Sequence, residues 1–121
     1  MDMWAGELIL RLKEQPGYGD IELVVVLPFE GHDSKWDERS KRRMDFLLRM
    51  CSDCVVIGKE DCRENYIKRN CYMVDHADYL VAVYDNERNL RSGTMQTVRY
   101  AQNKGITISF VNPDTATVTT N

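Results

Sequence analysis

The chain has 121 residues, 43% of them hydrophobic and 29% charged, with a net charge of −3. That length supports one domain around one core, and the acidic balance gives no nucleic-acid partner to expect. No stretch is long and apolar enough to cross a bilayer, so no membrane partner is expected. The first residues do not read as a secretory signal. A cytoplasmic protein with reduced thiols is the expectation.

Asp2 to Glu14 reads as a helix in which Trp4, Leu8 and Leu12 recur every four residues, with Ala5 and Ile9 beside them. Pro16-Gly17-Tyr18-Gly19 breaks it. Glu22 to Pro28 is a strand whose core, LVVVL, is continuous rather than alternating, as in a buried parallel strand. Phe29 to Trp36 is the loop at its carboxyl end. Asp37 caps the next helix, which runs to about Ser52. Its Met44, Leu47, Leu48 and Cys51 face a core, while Arg39, Lys41, Arg42 and Arg43 read as a solvated face. Cys54 to Gly58 is a second strand and Lys59 to Glu64 a charged loop.

The most informative stretch runs from Tyr66 to Thr97 and parses as helix, strand, loop, helix. Ile67, Cys71 and Val74 form an apolar helical stripe. Tyr79 to Tyr84 is a short apolar run ending in Asp85, as expected of a strand buried on both faces. Asn86 to Arg91 is a polar loop. Ser92-Gly93-Thr94 opens a helix with Met95, Val98 and Ala101 on one side. Asn103-Lys104-Gly105 stops that helix, with glycine past the end. Ile106 to Val111 is a fourth strand, and the threonine-rich tail to Asn121 is a frayed end or a weak edge strand.

Helices and buried strands therefore alternate. The pattern predicts an α/β fold, a Rossmann-like three-layer sandwich with a mainly parallel sheet of about four strands, forming a single domain over residues 1–113 with a polar tail over 114–121. A loop that leaves a parallel strand's carboxyl end and enters a helix is where such sheets bind ligands, and the free N–H groups there favour phosphates. From pattern alone the plainer account is that Ser92 or Thr94 caps a helix and Gly93 permits a turn.

Four cysteines are present, Cys51, Cys54, Cys62 and Cys71. Their spacing is not a standard zinc pattern, and the C-x-x-C precedes a strand instead of opening a helix. Buried, inert thiols are expected. The aromatics Trp4, Phe46 and Tyr100 fit core stripes. His76 ends a helix, where capping is expected, and His32 is a loop histidine expected to face solvent.

LPFEG at Leu27 to Gly31, Trp36, the run from Arg69 to Asp85 that contains YMVDHAD, and SGT with the following T and YA from Ser92 to Ala101 together resemble the YpsA-like branch of the SLOG superfamily. These are Rossmann-like domains related to the DprA and LOG proteins. The resemblance covers nearly the whole chain. It places Asp2 to Lys13 at the family's second helix, so the family's preceding strand, helix and glycine-loop strand are expected to be missing, and with them half of the ligand pocket.

The resemblance implies binding of a nucleotide or NAD-derived ligand, with no other cofactor expected. Some LOG members release a base from nucleoside monophosphates through a motif of the form R-K-x-x-M and a later G-T-x-x-E. Here Arg69 and Met73 match the first part; aligned on Gly93-Thr94, the first glutamate of the motif's G-T-L-E-E form falls at Gln96 and the glutamate of G-T-x-x-E at Thr97, so neither position carries a carboxylate. An amide cannot replace a carboxylate in that role, so binding is expected rather than hydrolysis, and no residue is assigned a catalytic role. The candidate ligand-binding residues are Glu30, Arg69, Asn70, Asp85, Ser92, Gly93 and Thr94. Arg69 is suited to a phosphate, or to a surface ion pair. Asn70 suits a base or ribose, or faces water. Glu30 suits a ribose hydroxyl, or is a loop carboxylate without a role. A sheet lacking central strands would expose apolar surface, which predicts a homodimer or larger oligomer. The other readings are an interaction module that has lost ligand binding and, more weakly, a hydrolase using another carboxylate.

Overall fold

A computed structural model describes residues 2–83, 92–112 and 115–120. The element order is α1 (Asp2–Lys13), β1 (Val24–Phe29), α2 (Glu38–Met50), β2 (Asp53–Gly58), α3 (Arg63–Asp75), β3 (Tyr79–Val83), α4 (Ser92–Asn103), β4 (Thr107–Asn112) and β5 (Thr117–Thr120). The fold is mixed α/β with parallel pairing of successive strands across helical crossovers, a Rossmann-like arrangement. Among the described residues the strands lie in two sheets, β1-β2 and β3-β4-β5. The expected strands are thus present, divided between two ladders, with the tail adding β5 as an antiparallel edge. Contacts divide the chain into two compact units, residues 1–65 and 66–121.

In the first unit, Leu23, Leu27, Met44 and Leu47 form the core, flanked by Met3, Ile9, Leu10, Val25 and Leu48. Asp37 caps α2 as expected, its carboxylate accepting from the Ser40 backbone N–H at 3.2 Å and the Ser40 hydroxyl at 2.7 Å. The expected core role of Trp4, Leu8 and Leu12 is overturned: Trp4 is 54% exposed, and the two leucines are also exposed. α1 packs instead through Met3, Ile9 and Leu10. A Cβ at Gly6 would sit 3.2 Å from the Leu47 side chain, a tight contact, so glycine eases the close approach of α1 to Leu47 on the side opposite Trp4, Leu8 and Leu12. Phe46, also expected inside, is exposed beside the α2 core face. Arg43 is not simply solvated, since it is clamped to Glu7.

In the second unit the core is Val74, Ala82, Val98, Ala101 and Ile108, with Leu80, Tyr100, Ile106 and Phe110 against it. α4 ends in the glycine stop: the Gly105 N–H reaches the Gln102 carbonyl at 3.0 Å and the Ile106 N–H the Ala101 carbonyl at 3.1 Å, with Gly105 at φ +76°. These two bonds form a Schellman motif, and Ile106 is the apolar residue that seals it. β3 is not buried on both faces. Leu80 and Ala82 point into the core, whereas Tyr79 and Val81 are exposed. On the outward face, hydroxyls connect the three strands. Tyr79 Oη and Ser109 Oγ share a short hydrogen bond, and Ser109 Oγ lies 2.9 Å from Thr120 Oγ1. This row gives the buried Ser109 hydroxyl its partners.

All four cysteines are free thiols. Cys51, Cys62 and Cys71 are half-buried, but Cys54 is exposed, contrary to the expected burial. Partial desolvation, then the neighbouring Cys51 and Asp53, push the Cys54 thiol pKa up. That disfavours the nucleophilic thiolate.

Candidate functional site

The site is built on α3 and α4 within the second unit. Arg69 and Asn70 are adjacent on α3. The Arg69 Nε–H donates to the Asn70 side-chain carbonyl at 2.8 Å, and its guanidinium lies 5.7 Å from the Tyr66 ring centroid. Arg69 is therefore held, among the described residues, by an amide and an aromatic face. The same bond orients the Asn70 carboxamide. Asn70, with Ile67 and Cys71, lines one wall of a cavity of about 210 Å³; Gln96, Thr97 and Tyr100 of α4 form the other wall. Ser92, Gly93 and Thr94 make the first turn of α4, whose N–H groups lack intrahelical partners.

At the other end of the two helices, Asp75 ties α3 to α4. Its carboxylate accepts from the Tyr100 hydroxyl at 2.7 Å and pairs with the Lys104 ammonium at 3.1 Å. The Tyr100 hydroxyl first, then Lys104, hold the Asp75 pKa below the usual carboxylate value. Asp75 in turn raises the pKa values of Tyr100 and Lys104. His76 follows, its Nδ1 2.8 Å from the Tyr72 carbonyl, which accepts the bond. Its ring stacks on Tyr72 at 4.1 Å. The expected capping role of His76 is thus the one found.

Glu30 lies in the first unit, exposed in the turn just after β1. Gly31 follows at φ +78°. His32 is half-buried, not solvent-facing, with its ring edge-on to Phe29 at 6.4 Å and to Trp36 at 5.1 Å. Asp85 and the loop around it lie outside the described residues.

Among the described residues the cavity walls carry amide, hydroxyl, thiol and aromatic groups and no carboxylate. Asp75 is engaged with Tyr100 and Lys104. Such a set can hydrogen-bond and pack on a small polar molecule, but it does not present a general acid or base of the carboxylate type. Cys71, Thr97 and Tyr100 were not singled out as lining residues from the sequence. The helical spacing of Ile67 to Asn70 and Cys71, and of Gln96 and Thr97 to Tyr100, places each set on one helix side, but which sides meet is a tertiary fact.

The sequence model of the YpsA family, described as the YspA SLOG family, matches residues 1–116. The chain belongs to the YpsA SLOG family. Its SLOG relatives include a UPF0398 protein of Staphylococcus epidermidis, 24% identical over 90 residues that make up 73% of this chain and 47% of the relative. UPF0398 proteins of Bacillus cereus and Bacillus thuringiensis are each 27% identical over 90 residues, 73% of this chain and 48% of the relative. The chain spans about half the length of these curated relatives. Among the described residues no helix is long and apolar enough to cross a membrane.

Proposed function

We propose that this SLOG chain binds a nucleotide-type or NAD-derived small molecule, as a sensor or carrier in the cytoplasm, without cleaving it. The observation that carries this proposal is the cavity in which Asn70, oriented by Arg69, faces Gln96 and Thr97. Its volume of about 210 Å³ is below the roughly 300–1,000 Å³ of sites for drug-sized ligands. It therefore suits a base or a ribose rather than a whole dinucleotide. The first turn of α4, through Gly93 and Thr94, supplies backbone donors and a partial positive charge for a phosphate on the same helix. Gln96 in place of a carboxylate favours binding over release of a base. The chain is further proposed to act as a homodimer or larger species, supported by exposed apolar side chains such as Trp4, Tyr79 and Val81.

Calorimetry with adenine nucleotides and NAD-derived compounds is the test. The wild type should bind at least one of them. Gly93→Asp should weaken binding by about 1–3 kcal/mol through repulsion and lost donors. It should leave the fold intact, because an acidic residue is favourable in a helix's first turn. Asn70→Ala should weaken binding by a similar amount. No binding by the wild type would favour the interaction-module reading. Equal affinity in wild type and variants would place the ligand elsewhere.

A further inference from the structure

An arginine side chain has hydrogen-bond donors and no acceptor. The Arg69 Nε–H, 2.8 Å from the Asn70 side chain, therefore settles which way round that carboxamide sits. Its oxygen faces the guanidinium, and its NH2 is the group left with protons to give to the cavity that Asn70 lines. Both residues are half-buried, so the guanidinium charge beside the carboxamide is screened less than in open water. Two further polar groups on the walls do not share this constraint. The Tyr100 hydroxyl already gives its proton to Asp75. Gln96 has no hydrogen bond fixing its carboxamide among the described residues, so it can turn either edge to a ligand.

We propose, on the reading of this cavity as a nucleotide-type site, that it selects a planar ring by a carbonyl oxygen: a hypoxanthine-, guanine- or uracil-type base in preference to an adenine- or cytosine-type base. A carbonyl oxygen accepts from the Asn70 NH2 and lies favourably beside the Arg69 cation. An exocyclic amino group in the same place sets donor against donor and turns its positive edge toward a positive charge. Its remaining partner on Asn70 is the second lone pair of an oxygen that already holds Arg69. An asparagine free to turn presents its oxygen and its NH2 together, which is how it pairs with adenine. Asn70 is thus the reading residue and Arg69 the positioning residue. In an NAD-derived ligand the same rule seats the nicotinamide carbonyl and not the adenine ring.

Calorimetry of the full chain with IMP against AMP, UMP against CMP, and nicotinamide mononucleotide against AMP tests the proposal, since each pair shares its ribose and phosphate. The wild type should bind the carbonyl member of each pair at least about tenfold more tightly. Asn70→Asp replaces the donor with an acceptor and should reverse the IMP–AMP preference, whatever it does to the absolute affinities. Arg69→Met releases the carboxamide to turn and should bring IMP and AMP to nearly equal affinity, a change in ratio that mere loosening of α3 would not produce. Circular dichroism checks that each variant is folded, and the wild-type ratios decide by themselves if neither is. Equal affinities in the wild type, or tighter binding of the amino members, would overturn the proposal and leave the nucleotide-type site standing. Binding of none of these nucleotides would overturn both. A wild-type preference that persists in folded Asn70→Asp and Arg69→Met would also overturn the proposal, by assigning the selection to other groups.

Discussion

Arg43 grips Glu7 with two hydrogen bonds across 36 residues of sequence, Nε to Oε2 at 3.0 Å and Nη2 to Oε1 at 2.6 Å. The fork geometry suits arginine and not lysine. The contact fixes α1 against α2 alongside the close approach at Gly6. Arg43→Lys should therefore lower the thermal midpoint more than Arg42→Lys, whose parent side chain is exposed on the same helix. Differential scanning calorimetry of the two variants checks this. An equal effect would mean that the fork contributes nothing.

The same contact makes stability depend on pH. The Glu7 pKa is lowered first by the Arg43 hydrogen bond, and that of Asp75 first by the Tyr100 hydroxyl. A carboxylate with a folded-state pKa below its unfolded value contributes stability that is present above the unfolded value, near about 4. That contribution is lost as pH falls through the folded pKa. Stability should thus decline on the acid side as these carboxylates protonate, and a separate alkaline decline is expected as Tyr100 and Lys104, whose pKa values are raised, lose their protons. Glu7→Gln combined with Asp75→Asn should flatten the acid decline, as followed by urea denaturation from about pH 7 to about pH 3. An acid limb unchanged in the double variant would assign it to other carboxylates.

Gly58 ends β2 directly against Asn65, so closely that a Cβ at Gly58 would overlap the Asn65 side chain. Asn65 is buried, at 8% exposure, and its Nδ2–H donates to the Glu60 carbonyl at 2.7 Å. It cannot move aside without losing that bond. Gly58→Ala should cost about 1–3 kcal/mol. In an Asn65→Ala background the same change should cost clearly less, because the clash is gone. A double-mutant cycle in urea measures the difference, and strict additivity would show that the two side chains do not interact.

Leu47 is 3% exposed and Phe46 44% exposed, although they are neighbours on α2. Leu47→Ala should cost about 2–5 kcal/mol, from lost burial and the cavity left behind. Phe46→Ala should cost less than about 1 kcal/mol. Chemical denaturation of the two variants, under conditions where each is monodisperse, gives the comparison. Similar losses would mean that Phe46 is covered in solution.

With Gln96 on the cavity wall and the Asp75 carboxylate engaged elsewhere, the chain should not release adenine from AMP. Chromatography of overnight incubations would detect free base. Turnover that Arg69→Ala abolishes would establish the hydrolase reading in place of binding.

Much of the fold was already written in local pattern. The Val-rich run before Phe29 read as a parallel strand, which it is, although Val24 is exposed and only the Leu27–Phe29 end is fully buried; Asp37 marked a helix start, and Gly105 marked a helix end. These signals are legible because capping and φ-dependent turns act within a few residues. The motif residues from Arg69 to Ala101 likewise disclosed the family. Three outcomes needed the tertiary structure. α1 has two apolar sides, and the one that packs is the one carrying Gly6 against Leu47 together with Met3, Ile9 and Leu10. β3 reads as a strand buried on both faces, yet Tyr79 turns outward because Leu80 and Ala82 take the core face of the alternating strand, and Ser109 on the neighbouring strand then offers it a hydroxyl. Asn70 and Gln96 share a cavity wall-to-wall because α3 and α4 are held together by Asp75, Tyr100 and Lys104. Each depends on partners some 25 to 41 residues apart, a range over which periodicity carries no information about which surfaces meet.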